Sequence, residues 1–128
     1  TVDEIPALWN EKYKTYLGID VPDDAHGCLQ DVHWTMPIGY FPSYALGSAY
    51  GVQILRTMEK ELDVFGCAAK GDLLPIRDWL TEHVFSIASV TTPAEWIRAI
   101  TGEPLNPAYF LDYLEEKFSA IYQLPEKP

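Results

Sequence analysis

Thr92-Pro93-Ala94-Glu95-Trp96-Ile97-Arg98-Ala99-Ile100-Thr101-Gly102 holds a complete helix signature in one short run. The Thr92 hydroxyl is suited to accept from the free N–H groups of a first turn. Pro93 sits where its missing N–H costs nothing, and Glu95 completes a capping box. Gly102 stops the helix because it takes the left-handed conformation cheaply. Asn106-Pro107 repeats the opening device, so a last helix is expected to about Gln123, with Phe110, Leu111, Leu114, Phe118 and Ile121 as its buried stripe. Towards the N-terminus, Asp72 reads as the N-cap of a helix through about Phe85, with Pro75 in its first turn and Leu73, Ile76, Leu80 and Val84 on one face. Gly66 and Gly71 mark a turn before it. From Pro42 to about Val64 the pattern predicts one long helix. Its first half is rich in small residues (Ala45, Gly47, Ser48, Ala49, Gly51), and its second half carries a stripe of Ile54, Leu55, Met58 and Leu62. Val2 to Leu17 is a further helix by its three- and four-residue spacing of apolar side chains, ended by Gly18. No alternating strand pattern competes. The fold class is all-α: about five helices plus an irregular segment over residues 19–41, in a single helical domain spanning residues 1–128.

The bulk numbers restrict function more than they name it. Nearly half of the 128 residues are apolar, and four Trp, eight Tyr and five Phe supply large side chains for a core, so global disorder is excluded. Nine basic residues against nineteen acidic ones give a formal charge of −10. Such a surface repels phosphate backbones and anionic lipid, so neither nucleic acid nor membrane is expected as a partner. Cys28 and Cys67 are too few for a disulfide framework and read as two reduced, partly buried thiols of a cytoplasmic protein. The first residue is Thr rather than Met, which suggests a piece of something longer.

Residues 19–41 hold the chemistry. Pro22, Gly27, Pro37 and Gly39 break the run, yet it also carries Leu29, Val32, Trp34, Ile38, Tyr40 and Phe41. An irregular stretch with so many large and polar side chains lines a site while a rigid scaffold positions it. Gly27-Cys28-Leu29-Gln30-Asp31-Val32-His33-Trp34, followed by Gly39-Tyr40-Phe41-Pro42-Ser43-Tyr44, places an amide, a carboxylate, an imidazole, an indole and two phenols close in sequence. A His and a Tyr aimed at one point could stabilise charge developing on an oxygen. A buried polar cluster that satisfies itself is the competing interpretation. His26-x-Cys28 beside Asp23 and Asp24 lacks the second ligand pair that a structural zinc site needs. Arg56, Arg77 and Arg98 read as surface or ion-pairing residues, and His83 as a cation near a helix C-terminus.

The run GCLQDVHW resembles the G-x-x-Q-D-x-H-W motif of the Taq-type metallocarboxypeptidases, with every fixed position kept. GYFPSYALG is similar to the block that follows it in that family, and the tail from Ile97 to Leu114 is similar to the family's C-terminus. The resemblance implies the C-terminal part of a larger, groove-containing helical peptidase that removes C-terminal residues from peptides. It also implies a divalent metal, zinc or cobalt, held by an H-E-x-x-H pair in the parent enzyme. Only His26, His33 and His83 occur here, none spaced four apart and none followed by Glu, so no metal ligand and no cofactor is assigned to this chain.

By the same resemblance His33 and Tyr40 are the expected catalytic, oxyanion-facing groups. Tyr44 and Gln30 are substrate-binding, and Asp31 is the residue that orients His33. Trp34 is assigned to packing. The expected partners are the C-terminus of a peptide substrate, the N-terminal remainder of the same protein and, as in the family, a second copy in a homodimer. By itself the chain is expected to be inactive. The alternative is a non-enzymatic acidic helical interaction module, or a degenerate relative without the metal half.

Overall fold

The signals around Thr92 translate directly into geometry. In the computed structural model, which describes residues 1–34, 36, 39–87 and 89–125 with the Trp34 side chain left aside, the helix runs Pro93–Thr101. Thr92 Oγ1 accepts from the Glu95 N–H at 3.4 Å while Glu95 Oε2 accepts from the Thr92 N–H at 2.9 Å, so both halves of the capping box are made. Gly102 closes the helix in the left-handed region at φ 82°. The Glu95 carboxyl is held below its ordinary value by its hydrogen bonds from the Thr92 side chain and backbone.

Six α-helices occur among the described residues: α1 (Ile5–Leu17), α2 (Pro42–Met58), α3 (Val64–Lys70), α4 (Leu74–Leu80), α5 (Pro93–Thr101) and α6 (Ala108–Tyr122). A 3-10 turn covers Val2–Glu4 and another covers Val32–Trp34. No strand is found among the described residues. The chain divides into two compact units, Thr1–Ser43 and Tyr44–Pro128.

Several expectations are corrected. The long helix expected from Pro42 to Val64 ends at Met58, where Lys60 and Glu61 donate instead to the Thr57 and Met58 carbonyls as turns. Asp63 then starts a new helix, its Oδ1 accepting from the Gly66 N–H at 2.9 Å. Local apolar spacing does not register this restart; an Asp three residues before Gly does. Asp72 is not the cap of α4, whose N-cap is Leu73 with no side-chain bond. Beyond Leu80 the helix loosens into a π turn at Thr81–Phe85, still ending where expected. In α6, Phe110 and Leu114 are half-buried, but Leu111, Phe118 and Ile121 are exposed, so the expected buried stripe is wrong over much of its length. The assignment of Trp34 to packing lies outside the described residues.

The second unit owns the larger core. Ile54 and Met58 of α2, Val64 of α3, Trp79 of α4, Val84 of the π turn and Ile97 and Ile100 of α5 are buried together. Trp79 keeps its indole satisfied by donating from Nε1 to Glu61 Oε2 at 2.8 Å, as a buried Trp requires. His83 stacks on it at 4.4 Å and donates from Nδ1 to the Trp79 carbonyl, a role that suits a helix end. Arg56 is ion-paired with Glu59 and Glu116, and Arg77 with Asp78.

Among the described residues Gln53 is the one buried polar side chain, 1% exposed. Its Nε2 donates to Thr101 Oγ1 at 3.0 Å and to the Pro104 carbonyl at 3.1 Å, and its Oε1 accepts from the Asn106 N–H at 2.8 Å. The amide thereby holds α2 to the connection between α5 and α6. Next to it, the Tyr109 hydroxyl donates to Glu103 Oε1 at 2.6 Å, which pushes the phenol's pKa up. Replacing Gln53 with Ala strands the Asn106 N–H and opens a cavity. Urea unfolding should therefore show a loss of about 2–4 kcal/mol; a loss within experimental error would remove Gln53 from the framework.

Candidate active-site segment around His33

In the first unit the segment after α1 turns back by close packing. A Cβ on Gly27 would lie 2.7 Å from Val21 Cγ1, 3.2 Å from the Asp23 carbonyl oxygen and 3.4 Å from Asn10 Oδ1. A side chain at position 27 would thus press on Val21 and the Asp23 carbonyl of the same turn, while Asn10 of α1 lies at ordinary contact distance; Cys28 beside it is buried. Leu29 N–H donates to the Asp24 carbonyl at 2.9 Å and Gln30 N–H to the Gly27 carbonyl at 3.1 Å, closing the turn that delivers Asp31.

Asp31 and His33 form a tight unit. One carboxylate oxygen, Asp31 Oδ1, accepts from the His33 backbone N–H at 2.9 Å and from His33 Nδ1–H at 2.7 Å. Two bonds to a single oxygen fix both the position of the residue and the plane of its ring. They also hold the Asp31 carboxyl below its ordinary value, the backbone bond being the larger cause and the imidazole bond the next. The His33 side chain is 35% exposed and that of Asp31 39%, so the ring is neither sealed in the interior nor free in solvent.

Two aromatic rings flank the imidazole. Tyr40 stacks nearly parallel to it, with centroids 6.0 Å apart and planes 10° apart, and Phe41 lies tilted at 5.5 Å. Gly39 sits at φ 89°, a backbone conformation that a residue with a side chain rarely adopts. Immediately after Phe41 the chain enters α2, where the Tyr40 carbonyl accepts from the Ser43 N–H at 3.0 Å and the Ser43 hydroxyl at 2.5 Å. Helix formation therefore pins Tyr40 by its own backbone.

Of the residues singled out by sequence, Asp31, His33 and Tyr40 are brought together. Gln30 is exposed at the turn that precedes them. Tyr44 belongs to the second unit, exposed on α2, with its carbonyl accepting from the Ser48 hydroxyl at 3.1 Å. Phe41 was read only as a bulky residue; its adjacency to Tyr40 was the available signal that it too borders His33.

Asp23 and His26 repeat the Asp31 arrangement. Asp23 Oδ1 accepts from the His26 N–H at 2.9 Å and from Nδ1–H at 2.7 Å, and its carboxyl is lowered chiefly by the side-chain bond. Both residues are exposed, whereas Cys28 is buried, so these side chains do not converge on a common ion. Among the described residues no group of three or more His, Cys, Asp and Glu is placed to hold a metal. The described side chains thus do not assemble a metal centre.

The profile of the "Carboxypeptidase Taq (M32) metallopeptidase" family matches residues 1–118. This chain belongs to the M32 metallocarboxypeptidase family. It is 45% identical to "Carboxypeptidase 1" of Bacillus subtilis over 126 residues, 97% of this chain and 25% of that protein. In structure it is similar to the M32 carboxypeptidase of Deinococcus radiodurans R1, with a TM-score of 0.88 and 30% identity over 96% of this chain and 25% of that one. Trypanosoma cruzi metallocarboxypeptidase 1 superimposes with a TM-score of 0.85 and 40% identity over 91% of this chain, again 25% of the other. The M32 chain described here therefore spans about a quarter of the length of the relatives it matches. No helix among its described residues is long and apolar enough to cross a membrane.

The depressed Asp31 carboxyl carries a pH signature. A carboxyl lowered on folding contributes stability above its ordinary unfolded value, near 3.9, and loses it as pH falls through the lowered folded value. Carboxyl-carbon NMR should place the Asp31 titration below that ordinary value, and Asp31→Ala should mix the two imidazole tautomers of His33 in nitrogen spectra. An Asp31 titration at or above the ordinary value would contradict the pairing.

Proposed function

We propose that this chain is the C-terminal portion of a cytoplasmic metallocarboxypeptidase that removes C-terminal residues from peptides. The observation that carries the proposal is the imidazole of His33, anchored twice by Asp31 and flanked by Tyr40, on a half-exposed segment of an M32 chain. In this reading Asp31 takes the Nδ1–H, and Nε2 is the ring nitrogen assigned to the substrate. When both nitrogens are protonated, Nε2 donates a charge-assisted hydrogen bond, suited to an oxygen that becomes anionic during peptide hydrolysis. Tyr40 contributes a phenolic donor on a rigid ring beside it. Asp31 acts through His33 as a positioning residue, and Gln30 and Tyr44 contact the substrate backbone.

We place the divalent ion implied by the family, zinc or cobalt, on residues outside these 128, because no H-E-x-x-H pair occurs among them. The partners are accordingly a peptide C-terminus, the remaining polypeptide of a full-length enzyme, and a second copy in a homodimer. The net charge of −10 disfavours nucleic acid and anionic membranes. Two free cysteines are in keeping with a reducing compartment.

Two measurements test the proposal. The purified 128-residue chain, given zinc or cobalt, should release no C-terminal residue from a blocked dipeptide; clear turnover contradicts it. In a chimera in which this chain replaces the stretch it matches in Bacillus subtilis Carboxypeptidase 1, His33→Ala should lower turnover on the order of 100-fold, the scale of one oxyanion donor. A folded variant with full turnover would exclude His33 from the chemistry.

A further inference from the structure

Helix α1 presents an apolar face that the described structure does not bury. Over thirteen residues it has no buried side chain. Ile5, Leu8, Trp9, Tyr13, Tyr16 and Leu17 line a shallow, almost wholly apolar groove along it. Leu8 is 51% exposed, Tyr16 73% and Leu17 60%, while Trp9 and Tyr13 stack on each other at 4.9 Å and are half-buried. The steps of three and four residues between these positions are those by which one helix seats against another. A helix of this length is marginal in water unless such a face is covered.

We infer that this groove is a helix-docking seam, occupied in the full-length protein by an amphipathic helix from the polypeptide outside this M32 quarter. The inference rests on the proposal that the chain works as part of a longer carboxypeptidase. Its relatives carry about three further quarters of chain beyond the part matched here, ample to supply such a helix. A second copy docking through this same seam is the weaker occupant, because the seam's one charged lining residue is Lys12, and a copy of it offers Lys12 no carboxylate. Lys12 is the only charged residue in the groove. It is spaced four residues from both Leu8 and Tyr16, over the Tyr16 ring at 5.8 Å. The complementary helix is therefore apolar along its seam with a carboxylate opposite Lys12.

Cysteine accessibility tests this without relying on turnover. Leu8→Cys, Tyr16→Cys and Glu11→Cys, the last off the seam, are labelled with a maleimide and read peptide by peptide in the 128-residue chain and in the Bacillus subtilis chimera. In the chain alone all three should label at similar rates. In the chimera, Leu8→Cys and Tyr16→Cys should slow by about 100-fold, as burial demands, while Glu11→Cys stays fast. Equal labelling of all three in the chimera overturns the inference. So does protection of Leu8→Cys in the isolated chain that grows with concentration, which would assign the seam to a second copy. A further arm stands even if the chimera does not fold: the double change Leu8→Asp and Tyr16→Asp should leave the melting temperature of the isolated chain within about 2 °C, as for an open surface. A larger fall means that the face is already packed within this chain, and the inference fails. A folded, seam-protected chimera without turnover counts against the catalytic proposal alone, and an active chimera with an open seam counts against this inference alone.

Discussion

A single buried amide holds the second unit in register. Gln53 reaches from α2 to Thr101, Pro104 and Asn106, so the connection after α5 can leave its helix, turn at Gly102 and start α6 without orphaning buried backbone groups. The apolar cluster of Ile54, Met58, Trp79, Ile97 and Ile100 supplies the bulk of the burial, but apolar contacts are non-directional. A fully satisfied polar group specifies one arrangement among many of similar volume. The run Thr-Gly-Glu-Pro-Leu-Asn-Pro that ends the family-like tail is thus a framework element, answering the amide with a hydroxyl, a carbonyl and an N–H, and the phenol of Tyr109 with a carboxylate.

The first unit works on the same logic at smaller scale. Gly27 fits closely against Val21 and the Asp23 carbonyl, and the turn it closes presents Asp31, which orders His33 through two bonds to one oxygen. Tyr40 and Phe41 then border the ring because the start of α2 fixes their backbone. Positioning of this kind makes a histidine useful in catalysis, since a freely rotating ring presents neither nitrogen in a defined direction. The same pattern occurs at Asp23 and His26; what differs at Asp31 and His33 is the pair of flanking rings and the partial shielding.

Much of this was legible in the residues, for identifiable reasons. Thr92, Pro93, Glu95 and Gly102 act within one turn of themselves, so α5 was readable from end to end. The split between α2 and α3 was missed because apolar spacing continues across it, and only the Asp63 cap on Gly66 reveals it. The α6 stripe was misread because apolar residues occur on more than one face of that helix, and sequence does not say which face the core takes. At the site, the motif residues Asp31, His33 and Tyr40 were named, but that one carboxylate oxygen serves both the backbone N–H and the ring Nδ1–H of His33 could not be read from them.

Sequence by itself determined the all-helical class, most helix ends, the family and the residues to suspect, because caps, turn glycines and motif spacing are local and act over a few residues. Tertiary structure alone decided which apolar faces are covered, that Gln53 is the internal clamp, and how the ring of His33 is turned. Those depend on groups far apart in the chain arriving within a hydrogen-bond length of one another, and no local pattern encodes that distance.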